Sequence, residues 1–352
     1  MPSPTFLSTI RDFLSTSITM GEPSPVDKQV LDGWTKSTLA GYNSAVRKFL
    51  FFTRERDSVP FVLPASAGNI QEFCAWAGRG PNSGGKPVLA TTLSKYLCGL
   101  RAWHLFHDQP YPTEANKKTT LILKASAKED AKEAARVPKG ATMIGDLIRL
   151  AEALTGGPAQ DLAVLDMALV AFWSCARLLE VTYNLAGVPG NGGLGVLLRD
   201  VEWGPENLWA CITLREAKTL SPGELQYLRV SEINDCLCPV AALRRLASSC
   251  LDSIAPLFGY QAQGERVRLT RYMLTTRLGK VWQDTSRPLL SGHSFHAGGA
   301  SFLHAMKVAA ADICTAGRWL SCCYKFYIRE CSAVEREETI EYLVLLDSAW
   351  CM

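Results

Sequence analysis

The chain has 352 residues, 47% hydrophobic and 20% charged, with a formal net charge of +3. That is the composition of a folded globular chain, long enough for one large domain or two ordinary ones, and it excludes a disordered one. The slight positive charge permits a nucleic-acid partner without requiring one.

No run of about 18 apolar residues is present, so no membrane span is expected. The first residues, MPSPTFLSTIRDFLSTSITM, lack a basic start followed by an apolar core, so they do not read as a secretory signal. Twelve cysteines are scattered without framework spacing, and Cys74, Cys98 and Cys175 sit in apolar or helical contexts. They read as reduced thiols of an intracellular protein. Cys236 and Cys238 are too close together for a zinc pair.

In chain order, residues 1–27 are rich in Ser, Thr and Pro and are expected to form a flexible arm with one short helix. Residues 28–126 read as a helical bundle. STLAGYNSAVRKFLFFTRER sets Leu39, Tyr42, Val46, Phe49 and Leu50 on one face, and ATTLSKYLCGLRAWHLFHD does the same with Leu93, Tyr96, Leu97, Leu100 and Trp103. NIQEFCAWAGR and TTLILKAS are further helices. Residues 127–141, charged and ending in Pro and Gly, read as a linker.

A second domain spans 142–352. It opens with the helix TMIGDLIRLAEALTGG and one long apolar helix, DLAVLDMALVAFWSCARLLEVTYNLAG. Three strand candidates follow: VLLRDVEW, NLWACITLRE and LQYLRVS. The last two flank the turn AKTLSPGE as an antiparallel hairpin. The remainder is expected to be helical. Helices, a small sheet, then helices make a mainly α, α+β fold.

Three motifs fail on context. GRGPNSGGKP has the Gly80, Gly85 and Lys86 of a P-loop, but Pro87 stands where a magnesium-binding hydroxyl is needed, and a helix precedes it. GNGGLG at 190–195 follows a helix and precedes a strand, the reverse of a dinucleotide site. His293 and His296 have only His304 and Asp312 as nearby third metal ligands and no adjacent glutamate base.

What remains is an ordered set of polar residues in apolar surroundings: Arg177 with Glu180 one turn on, Lys218 at the hairpin tip, His293, and then Trp319 and Tyr327 eight residues apart. Taken singly, each is more commonly a surface or core residue.

The order resembles the tyrosine recombinases, the phage-integrase and Cre-like family. ARLLEV matches the first-arginine box, AKT the hairpin lysine and GHSFHAGGAS the His-x-x-Arg box. GRWLSCCYKFYIR matches the box ending in the nucleophilic tyrosine. The resemblance covers about 35–350, and the style of the last two boxes is also similar to recombinase genes of eukaryotic mobile elements such as cryptons. It implies a core-binding domain at 28–126, a catalytic domain at 142–352, and site-specific recombination through a 3′-phosphotyrosyl bond, without metal, nucleotide or other cofactor.

The implied roles follow the chemistry. Tyr327 is the nucleophile, with Tyr324 as its rival one turn earlier; the spacing from Trp319 favours Tyr327. Arg177 clamps the non-bridging oxygens, for which a planar, always charged fork is suited. Lys218 protonates the leaving 5′ oxygen, His293 moves a proton and holds phosphate, Trp319 donates its indole N–H, and Glu180 orients Arg177.

The family's second arginine is here His296, which lacks the bidentate fork. Removing one preorganised donor costs roughly 2.7–4 kcal/mol. Phosphate beside the ring would raise its pKa and allow partial rescue at lower pH. An enzyme using histidine as the clamp, and a relative that binds DNA without cutting it, both fit this residue.

The resemblance further implies double-stranded DNA as partner, a dimer on each site and a tetramer in the synapse, no membrane, and a nuclear location in a eukaryote. Lys36, Arg47, Lys95 and Arg101 in the bundle, and Arg244, Lys280 and Arg287 in the second domain, are its candidate phosphate contacts. The apolar YLVLL near the C-terminus is the candidate link between protomers.

Overall fold

The computed structural model describes residues 4–16, 22–57, 59–84, 86–133, 140–183, 195–215, 217, 220–221, 223–283, 290–319, 325, 327–328, 337 and 340–341. The chain divides into two compact units, residues 1–136 and 137–352.

The first unit is helical: α1 (Pro4–Thr9), α2 (Arg11–Leu14), α3 (Pro25–Asp32), α4 (Lys36–Arg56), α5 (Ala67–Ala77), α6 (Ala90–Phe106) and α7 (Asn116–Asp130). Side-chain caps set several starts: Ser24 with Asp27 for α3, Thr35 for α4, and Ser66 with Asn69 for α5. Helices α4 and α6 form the central pair and bury Leu39, Val46 and Phe49 with Leu93, Leu100 and Trp103. Gly99 permits their close approach, since a Cβ there would lie 2.8 Å from that of Ala45.

The N-terminal stretch departs from a flexible arm. Ile10 and Phe13 are fully buried, the Phe13 N–H donates to Asn43 Oδ1 (2.8 Å), and the Trp103 indole donates to the Ser15 carbonyl (2.9 Å). Two apolar residues three apart give even this short segment a core-facing side, and Phe13 lies against Trp34, Tyr42 and Phe106.

The second unit is α+β. Helix α8 (Ile144–Leu154) packs on α9 (Ala159–Trp173), which is buried along nearly its whole length. The long apolar helix expected from the sequence breaks after Trp173. Ser174 Oγ donates back to the Val170 carbonyl (2.6 Å), Cys175 turns to φ 48°, and Arg177 leads into α10 (Leu178–Val181).

Strands β1 (Val201–Trp203), β2 (Trp209–Leu214) and β3 (Gln226–Ser231) form an antiparallel sheet in the order β1-β2-β3. Strands β2 and β3 run in register from Trp209↔Ser231 to Leu214↔Gln226. The first strand is shorter than expected because Asp200 accepts from the Leu197 N–H (3.0 Å) and holds 198–200 in a 3₁₀ turn.

Helix α11 (Pro239–Ser248) packs on α9. A second hairpin, β4 (Gly259–Ala262) with β5 (Glu265–Arg268), interrupts the stretch expected to be helical. Its turn uses Gln263 and Gly264, both at positive φ, as tight hairpin turns require.

Helices α12 (Arg271–Trp282), α13 (Ser294–Ala305) and α14 (Ala310–Gly317) complete the described unit. Helix α13 comes in against the end of α9 through Gly299 and against the Thr142 backbone through Gly298. A Cβ on Gly299 would lie 2.2 Å from the Phe172 carbonyl oxygen, and one on Gly298 would lie 2.1 Å from that of Thr142. The paired glycines of HAGGAS therefore hold His296, on the same helix, against the break after α9.

Candidate active site

The break at the end of α9 leaves carbonyls with no helical partner. The Cys175 carbonyl is the focus. It accepts from His296 Nδ1 (2.6 Å) and from Arg318 Nη2 (3.3 Å), while Arg318 Nη1 reaches the Ser174 carbonyl (3.4 Å). Two cationic or polar side chains thus cap the negative end of α9.

Glu180 lies beside this carbonyl and ties two arginines together. Its Oε1 accepts from Arg177 Nη1 (2.9 Å), and its Oε2 accepts from the Arg177 backbone N–H (2.8 Å) and from Arg318 Nη2 (2.6 Å). The side chains of Arg177, Arg318 and Glu180 are 12%, 6% and 3% exposed, so the group is shielded from water.

Arg318 was not among the residues singled out from the sequence. Its one signal there is adjacency to Trp319, which does not tell which way a side chain faces. It sits just past α14 at φ 57°, ψ 44°, the left-handed conformation that usually falls to glycine. A non-glycine residue there costs roughly 1–2 kcal/mol. Cys175, its hydrogen-bond partner, is left-handed too.

The aromatic side of the site joins the last helices to the segment beyond them. The His296 ring lies 4.5 Å from Trp319 and 5.2 Å from Tyr327, between ring centroids. Tyr327 is 5.3 Å from Trp319 and 5.6 Å from His293. Trp319 and Tyr327 also pack with Ala300 and Ile313 in a small cluster of their own. Arg177, Glu180, His293, His296, Trp319 and Tyr327 are therefore brought together. Lys218 and Tyr324 lie outside the described residues.

His296 is fully buried and neutral. Burial is the main cause, and Arg177, Arg318 and His293 add to it, so its pKa falls to about 3 despite the Cys175 carbonyl. A carbonyl can only accept, so the ring proton is assigned to Nδ1 and Nε2 carries a lone pair. Nε2 has no hydrogen-bond partner. The surroundings thus oppose the rise in pKa expected of this residue from the sequence.

The folded pKa of His296 lies below the ordinary value of about 6.5, so the unfolded chain binds the extra proton between these values. The contribution is complete above pH 6.5 and is lost as pH falls towards 3. Wild type should lose about 1.4 kcal/mol per pH unit below about pH 6, relative to His296→Asn, which keeps a donor for the carbonyl but does not titrate. Urea unfolding from pH 4 to 8 measures this; parallel curves for the two proteins would contradict it.

The expected DNA contacts divide. In the first unit Lys36 and Lys95 are exposed, Arg47 pairs with Asp12 (2.9 Å), and Arg101 donates to Asn116 (2.7 Å). In the second, Lys280 is exposed, and Arg244 donates to the Asn207 carbonyl (2.9 Å) and to Glu232 (3.3 Å). Arg287 lies outside the described residues, as does the YLVLL segment at 342–346.

Among the described residues no three His, Cys, Asp or Glu side chains gather to hold a metal, and no helix is long and apolar enough to cross a membrane.

No family model matches the sequence, and no curated protein sequence matches it. Solved structures do share its fold. The Tn1549 transposon integrase in complex with transposon right end DNA superposes with a TM-score of 0.55 at 11% identity, over 96% of this chain and 99% of that one. The XerH site-specific recombinase bound to a palindromic difH substrate, a post-cleavage complex, gives 0.57 at 12% identity, over 97% and 90%. A lambda integrase tetramer bound to a Holliday junction gives 0.50 at 11% identity, over 94% and 83%. The chain has the fold of the tyrosine recombinases and integrases.

Proposed function

We propose that this protein is a site-specific DNA recombinase that cuts and rejoins strands through a 3′-phosphotyrosyl intermediate. The observation that carries the reading is the meeting of Arg177, Glu180, His293, His296, Trp319 and Tyr327 in one cluster, within a fold otherwise found in integrases and recombinases solved with DNA.

In this reading Tyr327 Oη attacks the scissile phosphorus and forms a phosphodiester to the protein. The 5′ oxygen leaves with a proton from Lys218. Attack by the 5′ hydroxyl of another strand reverses the step, so bond energy is conserved and no cofactor is consumed. Arg177, aligned by Glu180, holds the non-bridging oxygens. His293 flanks Tyr327 and is suited to taking its phenolic proton, while His296 packs against the rings of both. Trp319 packs the site and gives its indole N–H to phosphate.

Double-stranded DNA is then the partner, gripped through exposed lysines such as Lys36, Lys95 and Lys280, with a dimer on each site and a tetramer in the synapse. Residues 28–126 serve as the core-binding domain and 142–352 as the catalytic domain. A crypton-type mobile element is the source this reading favours, and the nucleus is then the place of action.

A second reading, a relative that binds DNA without cutting it, is favoured by one observation: His296 is fully buried and spends its Nδ1–H on the Cys175 carbonyl (2.6 Å), so it offers phosphate no bidentate clamp.

Covalent capture separates the two readings. The protein is incubated with a pool of random duplexes, denatured in detergent, and the attached DNA is sequenced. Wild type is expected to retain DNA at a defined site and Tyr327→Phe to retain none. Filter binding without covalent retention would leave the second reading standing.

A further inference from the structure

We propose that Arg318 carries the second positive charge of the site and, through its Nε–H, holds the phosphodiester beside Arg177. This rests on the strand-transfer reading above and assigns the residue that makes up for a neutral His296.

The first support is a charge count over the buried group. Arg177 and Arg318 are each positive, Glu180 is negative, and His296 is neutral. Without Arg318, Glu180 would cancel Arg177. A phosphodiester brings one negative charge, and more gathers on its oxygens at the pentavalent stage, so a cancelled site offers little. With Arg318 the group keeps one surplus positive charge.

The second support is the count of donors. A guanidinium has five N–H groups. Four contacts engage the two terminal nitrogens of Arg318: Ser174 and Ala316 carbonyls on Nη1, the Cys175 carbonyl and Glu180 on Nη2. Nε is buried and has no partner. Buried N–H groups are usually matched by protein, water or a bound ion, so Nε is the donor that Arg318 has left for a phosphate oxygen.

The third support is the backbone. Position 318 holds a left-handed conformation that glycine adopts freely. A side chain kept at such a position, and paired with a second left-handed residue at Cys175, indicates that the side chain is the reason for the strain.

A cap on α9 would explain Arg318 without any role towards phosphate, and one exchange distinguishes the two. Arg318→Gly relieves the backbone while removing the guanidinium. Arg318→Gly with His296→Arg moves a guanidinium to the neighbouring side chain. Covalent capture on the duplex selected by wild type is the readout, with thermal melting alongside. Arg318→Gly is expected to capture about 10²–10³-fold less DNA, and the double variant to regain at least about tenfold of the loss.

Capture by Arg318→Gly within about threefold of wild type overturns the proposal. So does a loss that the double variant leaves unrepaired. Should Arg318→Gly fail to fold, Arg318→Lys against Arg318→Gln decides: capture kept only by lysine supports the proposal, and equal capture overturns it. Should wild type capture no DNA, the strand-transfer reading is what fails, and binding of inorganic phosphate tests Arg318 by itself. Phosphate that raises the melting temperature of wild type but not of Arg318→Gly supports the proposal; equal shifts, or none, overturn it.

Discussion

Glu180→Ala is expected to destabilise the protein by about 3–5 kcal/mol, the usual result of removing one partner from a buried ionic group. Among the described residues Glu180 is the carboxylate paired with both Arg177 and Arg318, whose side chains are 12% and 6% exposed. Its loss leaves two guanidiniums close together with no counter-charge among the described residues and little water. It also frees the Arg177 backbone N–H that starts α10. Glu180→Gln, which keeps the shape and some of the hydrogen bonds, should fall between wild type and alanine. Urea unfolding measures all three; an alanine variant within about 1 kcal/mol of wild type would mean that the arginines reach solvent once released.

Arg177→Ala is expected to behave in the opposite manner, with a large effect on chemistry and a small one on stability. Glu180 stays paired, because Arg318 Nη2 and the Arg177 backbone N–H, which the substitution leaves intact, both still donate to it. On the strand-transfer reading proposed above, the substitution removes one charged fork from the phosphate, which is expected to cost about 10²–10³ in the rate of covalent capture. Time courses of capture, paired with melting curves, test both halves. A variant that captures DNA as fast as wild type would reduce Arg177 to a counter-ion for Glu180.

The helices of the first unit were legible because their burial is one-sided. Leu39, Val46 and Phe49, or Leu93, Leu100 and Trp103, recur at helical spacing and do face the core. The β2–β3 hairpin was legible from two runs rich in aromatic and β-branched residues on either side of a turn. The break at Ser174–Cys175 was not. Its neighbours are apolar and fit a helix, and the chain turns there at a carbonyl shared by residues far along the sequence. The β4–β5 hairpin was missed because four-residue strands with half-buried faces carry little periodicity. In the same way, the order of the site's polar residues could be read from the sequence, whereas Arg318 could not, since a basic residue after a glycine commonly serves only to end a helix.

The shared carbonyl of Cys175 also bears on the order in which the protein comes together. Its hydrogen bond to His296 spans 121 positions of chain, and those of Arg318 to Cys175 and Glu180 span 143 and 138. Contacts that close such long loops carry the greatest entropic cost and form after the nearer ones. Helices α8 and α9 can pair as soon as they leave the ribosome, but the charged group at the end of α9 stays incomplete until residue 318 has been made and docked. A nascent or clipped chain ending before that point would bury much of its core and still lack the assembled centre. Such a chain would lack Arg318, Trp319 and Tyr327, three of the residues that meet at the end of α9.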